Sequence, residues 1–187
     1  SSPYLRPDQT FISGSVLDLD QLLFHFQWVN YIYNLAAIAD IDEAKHKPKI
    51  SAETNIIGKI NALEVAKQQC VDRCILASSV YVNSNSGSFY RITKQSAEEY
   101  VKEYNIQYDI PYTVLRYGSL YGPRSDGRNT IYRFIKDALE KQSVTYVGQL
   151  DSVRQYIHIL DAVKLSYDIL AEDYTNQTLT LTGPEAF

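Results

Sequence analysis

Methionine is absent from this chain altogether, position 1 included. Cysteine is nearly absent: Cys70 and Cys74 are the only two among 187 residues. One C-x3-C with no second cluster provides neither a disulfide framework nor a four-ligand metal site, so both thiols are expected in the core and no metal is expected. Such sparse cysteine suits a reducing compartment and a cytoplasmic location. No apolar run approaches the roughly 18 residues a membrane span needs, and no charged-then-apolar leader is visible, so no membrane partner and no secretion are expected. Basic runs are missing too. The formal net charge is −4, with both signs spread along the chain, which argues against nucleic acid as a partner. Neither internal repeats nor low-complexity segments occur. The chain opens on an irregular SSPYLRPDQ and stops at Gly183-Pro184-Glu185-Ala186-Phe187. With no methionine, this suggests part of a longer polypeptide, or a sequence from which modified methionines and disordered stretches have dropped out.

What is present is an apolar content of 45%, enough for a sizeable core. Strand-like and helix-like patterns alternate. Strands are expected at 10–16, 29–35, 74–79, 112–118, 144–147, 154–159 and 178–181. Helices are expected at 19–26, capped by Asp18, at 50–69, from Tyr90 onward, at 130–140, and from Asp161 to 170. The 50–69 helix is read with Ile56, Ile57, Ile60, Leu63, Val65 and Ala66 inward. Residues 40–49 read as a charged loop. Short connections and continuously apolar strands argue for an α/β fold with a parallel sheet covered on both faces.

In such sheets ligands sit beyond the carboxyl ends of the strands. Ala36-Ala37, Ser78-Ser79 and Gly118-Ser119 all fall there. Tyr90 and Lys94 follow, four residues apart on one helix face. A lysine ammonium near a phenol favours the phenolate. With a serine hydroxyl on the substrate oxygen, these groups suit proton removal from an alcohol as its hydride leaves to a cofactor. The spacing alone is weak. With 16 tyrosines and ten lysines, about one such pair is expected by chance, and Tyr132 with Lys136 is a second copy. Asn55 lies inside the long helix, where asparagine is a poor helix former and a solvent-facing amide is an equal reading.

Taken in order, these segments resemble the extended short-chain dehydrogenase/reductase family, in particular the nucleotide-sugar epimerases and dehydratases. The matching pieces are Asp18, Asn34-Leu35-Ala36-Ala37, Asn55 in TNIIGKINALEVAK, Ala77-Ser78-Ser79, Tyr90 with Lys94, Leu115 to Arg124, and Val153 to Asp161. They span about residues 10 to 183. The resemblance implies a Rossmann-like doubly wound parallel sheet with a small C-terminal substrate-binding portion. Residues 1–122 would form a partial dinucleotide-binding domain. Residues 123–187 would be mainly substrate-binding, with 153–173 returning to the first domain. It implies Ser79 (Ser78 in reserve), Tyr90 and Lys94 as catalytic residues. It implies Asp18, Leu35, Ala36, Ala37, Asn55, Tyr90, Lys94 and Tyr117 toward NAD or NADP, and Ser119 and Arg154 toward a nucleotide-sugar substrate. In family dimers the helices matching 50–69 and 88–104 pair across a two-fold axis, so a homodimer is expected. The Tyr132–Lys136 pair is thereby demoted, and His158 is read as structural.

The chain also departs from the family. It has no Gly-x-x-Gly-x-x-Gly turn to hold a pyrophosphate. The loop between Ser79 and Tyr90 is short. Ser119 stands where an asparagine is common, and Gln155 replaces a common aspartate. Val80 and Tyr81 follow Ser79 where family dehydratases carry an acid pair, so dehydration is disfavoured. An NAD(P)-dependent epimerase is the expectation. An NAD(P)H-dependent reductase using the same three residues, or a cofactor-binding scaffold without turnover, stays open.

Overall fold

The computed structural model describes residues 3–146 and 153–185. Its core is a four-stranded sheet in the order β1-β2-β3-β6, with every neighbouring pair parallel. The strands are β1 (Tyr31–Asn34), β2 (Arg73–Ser79), β3 (Tyr112–Tyr117) and β6 (Gln177–Leu181). A second, two-stranded parallel sheet joins β4 (Ser119–Tyr121) to β5 (Tyr156–His158).

β2 is central because its run Cys74-Ile75-Leu76 is apolar on both faces. Cys74 and Leu76 pack with Ile32, Val114, Leu63, Val65, Ala97 and Val101 on one side. Ile75 packs with Leu115, Leu181, Ile157, Ala162 and Ile169 on the other. The first side is covered by α1 (Leu19–His25), α4 (Gly58–Gln69) and α5 (Ser88–Tyr108), and the second by α7 (Ile159–Asp168). This is the doubly wound arrangement expected. Since all four strands run the same way, Asn34, Ser79 and Tyr117 end at one edge of the sheet.

Several expectations need correction. Residues 10–15 form no strand, because no neighbouring strand pairs with them among the described residues. The charged segment after Asp40 is a helix, α2 (Ile41–His46). Asp40 caps it by accepting from the Glu43 amide at 2.8 Å, and Ala44 is buried beneath it. The expected 50–69 helix is compound. α3 (Pro48–Ala52), with Pro48 in its first turn, runs through a π-helical turn (Glu53–Ile57) into α4. That wider turn changes which residues face inward. Ser51, Asn55 and Lys59 are buried, whereas Ile57 is 48% exposed. α7 begins at Ile159 and is capped by His158, three residues ahead of the expected cap at Asp161. Residues 144–146 are not a strand, and residue 147 lies outside the described residues. α6 (Thr130–Lys141) forms as expected and carries Tyr132 and Lys136, both exposed. Cys74 is buried, and burial pushes its thiol up to about 12. Cys70 is exposed instead of in the core, because it ends α4 in a left-handed conformation (φ 49°). His25 and His46 are on the surface. The single tryptophan, Trp28, is 92% exposed before β1. Among the described residues no helix is long and apolar enough to cross a membrane, and no His/Cys/Asp/Glu cluster could hold a metal.

Candidate active site

β2 runs into a 3-10 turn, Val80–Asn83, where the Ser79 hydroxyl accepts from the Tyr81 amide at 3.3 Å. The chain then turns through Gly87 into α5. Gly87 sits at φ 102°, and a Cβ there would lie 3.0 Å from Arg91 Cβ and 3.3 Å from Tyr81 Cβ. A glycine is required by both conformation and space. The turn brings Tyr90, on the first turn of α5, back over the end of β2.

The Ser79 side chain lies beside the Tyr90 phenol, near enough to favour its ionised form. Tyr90 is 8% exposed, and burial pushes its phenol above the usual value, partly offset by the neighbouring Ser79. This differs from the expectation that Lys94 lowers it. Lys94 lies 5.6 Å from the Tyr90 ring centroid and donates to the Ala77 carbonyl at 2.7 Å. Its own pKa is pulled down to about 8 by burial, against the opposing pull of Glu98. Ser78 is not at the same place. It donates to Glu98, which also takes two bonds from Arg116, Nε at 2.9 Å and Nη2 at 2.6 Å. Of the two serines, Ser79 is the one that meets Tyr90.

At Tyr81 a cleft of about 400 Å³ opens, lined also by Ser84, Ser86, Ser119, Arg154 and Gln155, while Ser79, Tyr90 and Lys94 lie outside its lining. No carboxylate lines it among the described residues. Arg154 Nη1 donates to the Tyr81 hydroxyl at 2.7 Å, and the Tyr81 ring stands edge-on to Tyr90 at 6.4 Å. One chain of contacts therefore runs from Arg154 through Tyr81 to Tyr90. Nothing in the sequence marks Tyr81 for this beyond its place after Ser79.

On the opposite side a groove of about 230 Å³ lies at the end of β1, lined by Val16, Phe26, Asn34, Leu35, Ala36 and Gly58 among others. Leu35 and Ala36 are exposed and Ala37 half-buried. Asp18 accepts from the Gln21 amide at 3.0 Å, capping α1 as expected. Asn55 is fully buried, which excludes the solvent-facing reading. Its amide accepts from the Ile38 N–H at 2.8 Å and donates to the Ile38 carbonyl at 3.0 Å and Thr93 Oγ1 at 3.0 Å. Asn55 thus ties the groove's loop to the helix carrying Tyr90 and Lys94, and its polar atoms are committed within the fold. The Tyr117 hydroxyl pairs with Ser166 on α7 at 2.6 Å, and burial pushes its phenol up.

Sequence reasoning missed Lys59. It lies four residues after Asn55 and eight after Ser51, and that polar stripe was the available signal. Its amine reaches the side-chain oxygen and carbonyl of Asn34 and the Ala36 carbonyl. Burial and the neighbouring Lys94 pull its pKa down to about 7.

Comparison with known proteins gives a consistent result. A model of the NAD dependent epimerase/dehydratase family matches residues 1–180. The chain is 29% identical over 201 residues to a putative UDP-glucose 4-epimerase of Methanocaldococcus jannaschii, covering 97% of this chain and 65% of that protein. It is 32% identical over 181 residues to UDP-glucuronate 4-epimerase 6 of Arabidopsis thaliana, covering 86% and 39% respectively. Its structure is similar to UDP-glucose 4-epimerase from Thermotoga maritima with UDP-glucose. That match has a TM-score of 0.88 at 27% identity and covers 98% of this chain and 65% of that one. It is similar also to UDP-glucuronic acid 4-epimerase from Bacillus cereus in complex with UDP-glucuronic acid and NAD. There the TM-score is 0.82 at 26% identity, covering 93% and 60%. The chain thus spans less than two thirds of the length of these relatives.

Proposed function

The chain belongs to the NAD-dependent epimerase/dehydratase family, and from that premise we propose that it carries the catalytic core of an NAD-dependent nucleotide-sugar epimerase. The observation that carries this reading is the Ser79–Tyr90 hydroxyl pair beside Lys94, at the carboxyl edge of a parallel sheet. Relatives titled as 4-epimerases of UDP-sugars support it.

The residues present fit the nicotinamide and ribose end of a dinucleotide. The apolar groove with small Ala36 accommodates a flat ring, and Tyr90 and Lys94, outside the groove's lining, are the residues proposed toward the ribose. Leu35 and Ala36 line this groove, and Asp18 and Ala37, outside its lining, are proposed toward the dinucleotide with them, Asp18 at its adenine end. Asn55 acts through Ile38, and Tyr117, bonded to Ser166 on α7, is proposed toward the cofactor from the end of β3. No Gly-x-x-Gly-x-x-Gly turn occurs in the sequence to receive the pyrophosphate. NAD is favoured over NADP because the Bacillus cereus relative was crystallised with NAD. The chemistry such a cofactor supplies when bound is reversible hydride acceptance at its nicotinamide ring.

Ser79 holds the sugar oxygen, Tyr90 moves the proton between itself and that oxygen, and Lys94 supplies the nearby positive charge. Burial keeps the Tyr90 phenol protonated at neutral pH, the form that returns a proton to a ketone. Oxidation of the alcohol needs the phenolate, which burial of Tyr90 disfavours, so this step asks of Lys94, 5.6 Å from the ring centroid, a pull that the resting site does not exert. The protonated phenol equally serves one-way carbonyl reduction. Net consumption of NADH without epimer formation separates that second reading. Arg154 and Ser119 face the cleft proposed for the nucleotide sugar, Arg154 toward its diphosphate. The division into residues 1–122 and 123–187 belongs to the same proposal.

The partner proposed for the outer helices is a second copy of the chain. Ile50 and Ile57 on the compound helix, with Phe89, Ile92 and Tyr100 on α5, are exposed apolar residues on the two helices expected to pair. A monomer mass by light scattering removes the dimer. A cytoplasmic location completes the reading.

The deciding experiment is Tyr90→Phe, assayed for interconversion of UDP-glucose and UDP-galactose and of the corresponding glucuronates. Turnover should fall by about a hundredfold or more with NAD affinity kept. Unchanged turnover overturns the assignment.

A further inference from the structure

Lys59 is 1% exposed, and among the described residues no carboxylate pairs with it. Removing an ammonium from water is expensive, and a methionine of similar length would fill the position at lower cost. What the amine gains is three acceptors, two on Asn34 and one on Ala36. Three carbonyl oxygens match the three protons of an ammonium. All three belong to one turn, where β1 gives way to the loop. The other side of that turn lines the groove, with Leu35, Ala36 and Gly58.

The neighbouring residues extend the pattern. Gly58 lets Val16 approach: a Cβ on Gly58 would lie 2.7 Å from Val16 Cγ2. One helical turn earlier, Asn55 holds Ile38 by both its N–H and its carbonyl. The buried stripe therefore grips the loop at residues 34, 36 and 38 in turn, and Thr93 links the stripe to α5.

We propose that Lys59 is a positioning residue for the dinucleotide, holding the Asn34–Ala36 turn from inside the fold in the shape that floors the cofactor groove. This rests on the reading that the groove takes NAD. Without Lys59 the turn loses its inner anchor, and its ordering is deferred until the cofactor binds. The cost falls on affinity, while Ser79, Tyr90 and Lys94 keep their contacts.

The test is calorimetric titration of NAD+ into the wild-type protein and Lys59→Met. The dissociation constant should rise about tenfold or more, with turnover at saturating NAD+ within about twofold of wild type. An unchanged dissociation constant with a lowered melting temperature means that Lys59 only packs, and overturns the proposal. Should Lys59→Met not fold, Lys59→Gln keeps two of the three N–H donors on a shorter side chain and is judged by the same criterion. Wild-type protein that fails to bind NAD+ overturns the NAD reading, and this inference with it. Wild-type protein that binds NAD+ while Lys59→Met binds it equally well overturns the inference alone.

Discussion

Glu98→Gln keeps the side chain's shape and removes its charge, and its cost follows from three contacts. Glu98 is 2% exposed and accepts from the Ser78 hydroxyl and from two nitrogens of Arg116. Removing one partner of a fully buried ion pair costs about 3–5 kcal/mol, because the other charge stays in place uncompensated. Here the Arg116 side chain is 21% exposed, so water screens part of that charge. Glutamine also keeps one acceptor oxygen. The expected loss is therefore about 2–3 kcal/mol. With a urea slope of about 2 kcal/mol/M, the unfolding midpoint drops by about 1 M with the slope unchanged. Followed by circular dichroism, a loss under about 0.5 kcal/mol refutes the reasoning. Glu98→Leu with Arg116→Met should recover much of the loss, since no unpaired charge remains. The effect reaches the active site as well. Glu98 opposes the burial that pulls Lys94 down, so its removal drives Lys94 further below about 8.

Other perturbations probe separate contacts. Tyr81→Phe removes the phenol bound to Arg154 and leaves the ring on Tyr90; the expected result is a KM for the nucleotide sugar several-fold higher, about 1 kcal/mol, with kcat held. Equal losses in kcat and kcat/KM would assign Tyr81 to the transition state instead. Gly87→Ala forces a Cβ into a left-handed site against Arg91 and Tyr81, costing about 1–3 kcal/mol in urea unfolding; a neutral outcome refutes the strain argument. Lys59 and Lys94 titrate near 7 and 8 in the folded protein but near 10.4 when unfolded. Between these values the unfolded state binds more protons, so unfolding free energy rises with pH, by at most about 1.4 kcal/mol per unit for each lysine. Lys59→Met should flatten that rise between about pH 7 and 9, and a wild-type profile already flat there refutes the shifts.

The parallel sheet and the Ser79–Tyr90–Lys94 grouping were legible because they rest on short-range signals. These are an unbroken apolar strand, a hydroxyl at its end, and an i, i+4 pair at a helix start. The inner face of the long helix was not legible. Counting at 3.6 residues per turn put Ile57 inside, whereas the π-helical turn brings Ser51, Asn55 and Lys59 there. Nothing local announces that turn, which lies where Asn55 and Lys59 hold the loop after β1. The helix after Asp40 was missed because its charges resemble a loop, although Asp40 ahead of Glu43 is a capping signal. Residues 10–15 show the reverse case: β-branched and aromatic composition favours a strand, yet a strand needs a neighbour to pair with. That Ser78 turns to Glu98, twenty residues away in the chain, had no local signal either.

Trp28 bears on how all of these measurements are read. An indole that is 92% exposed in the folded state emits as a hydrated fluorophore before and after unfolding. Its emission is therefore a poor reporter of denaturation, which is why dichroism is specified above. The same property makes it a sensitive optical probe of whatever covers the start of β1: a blue shift that grows with protein concentration registers association at that edge, and at no other.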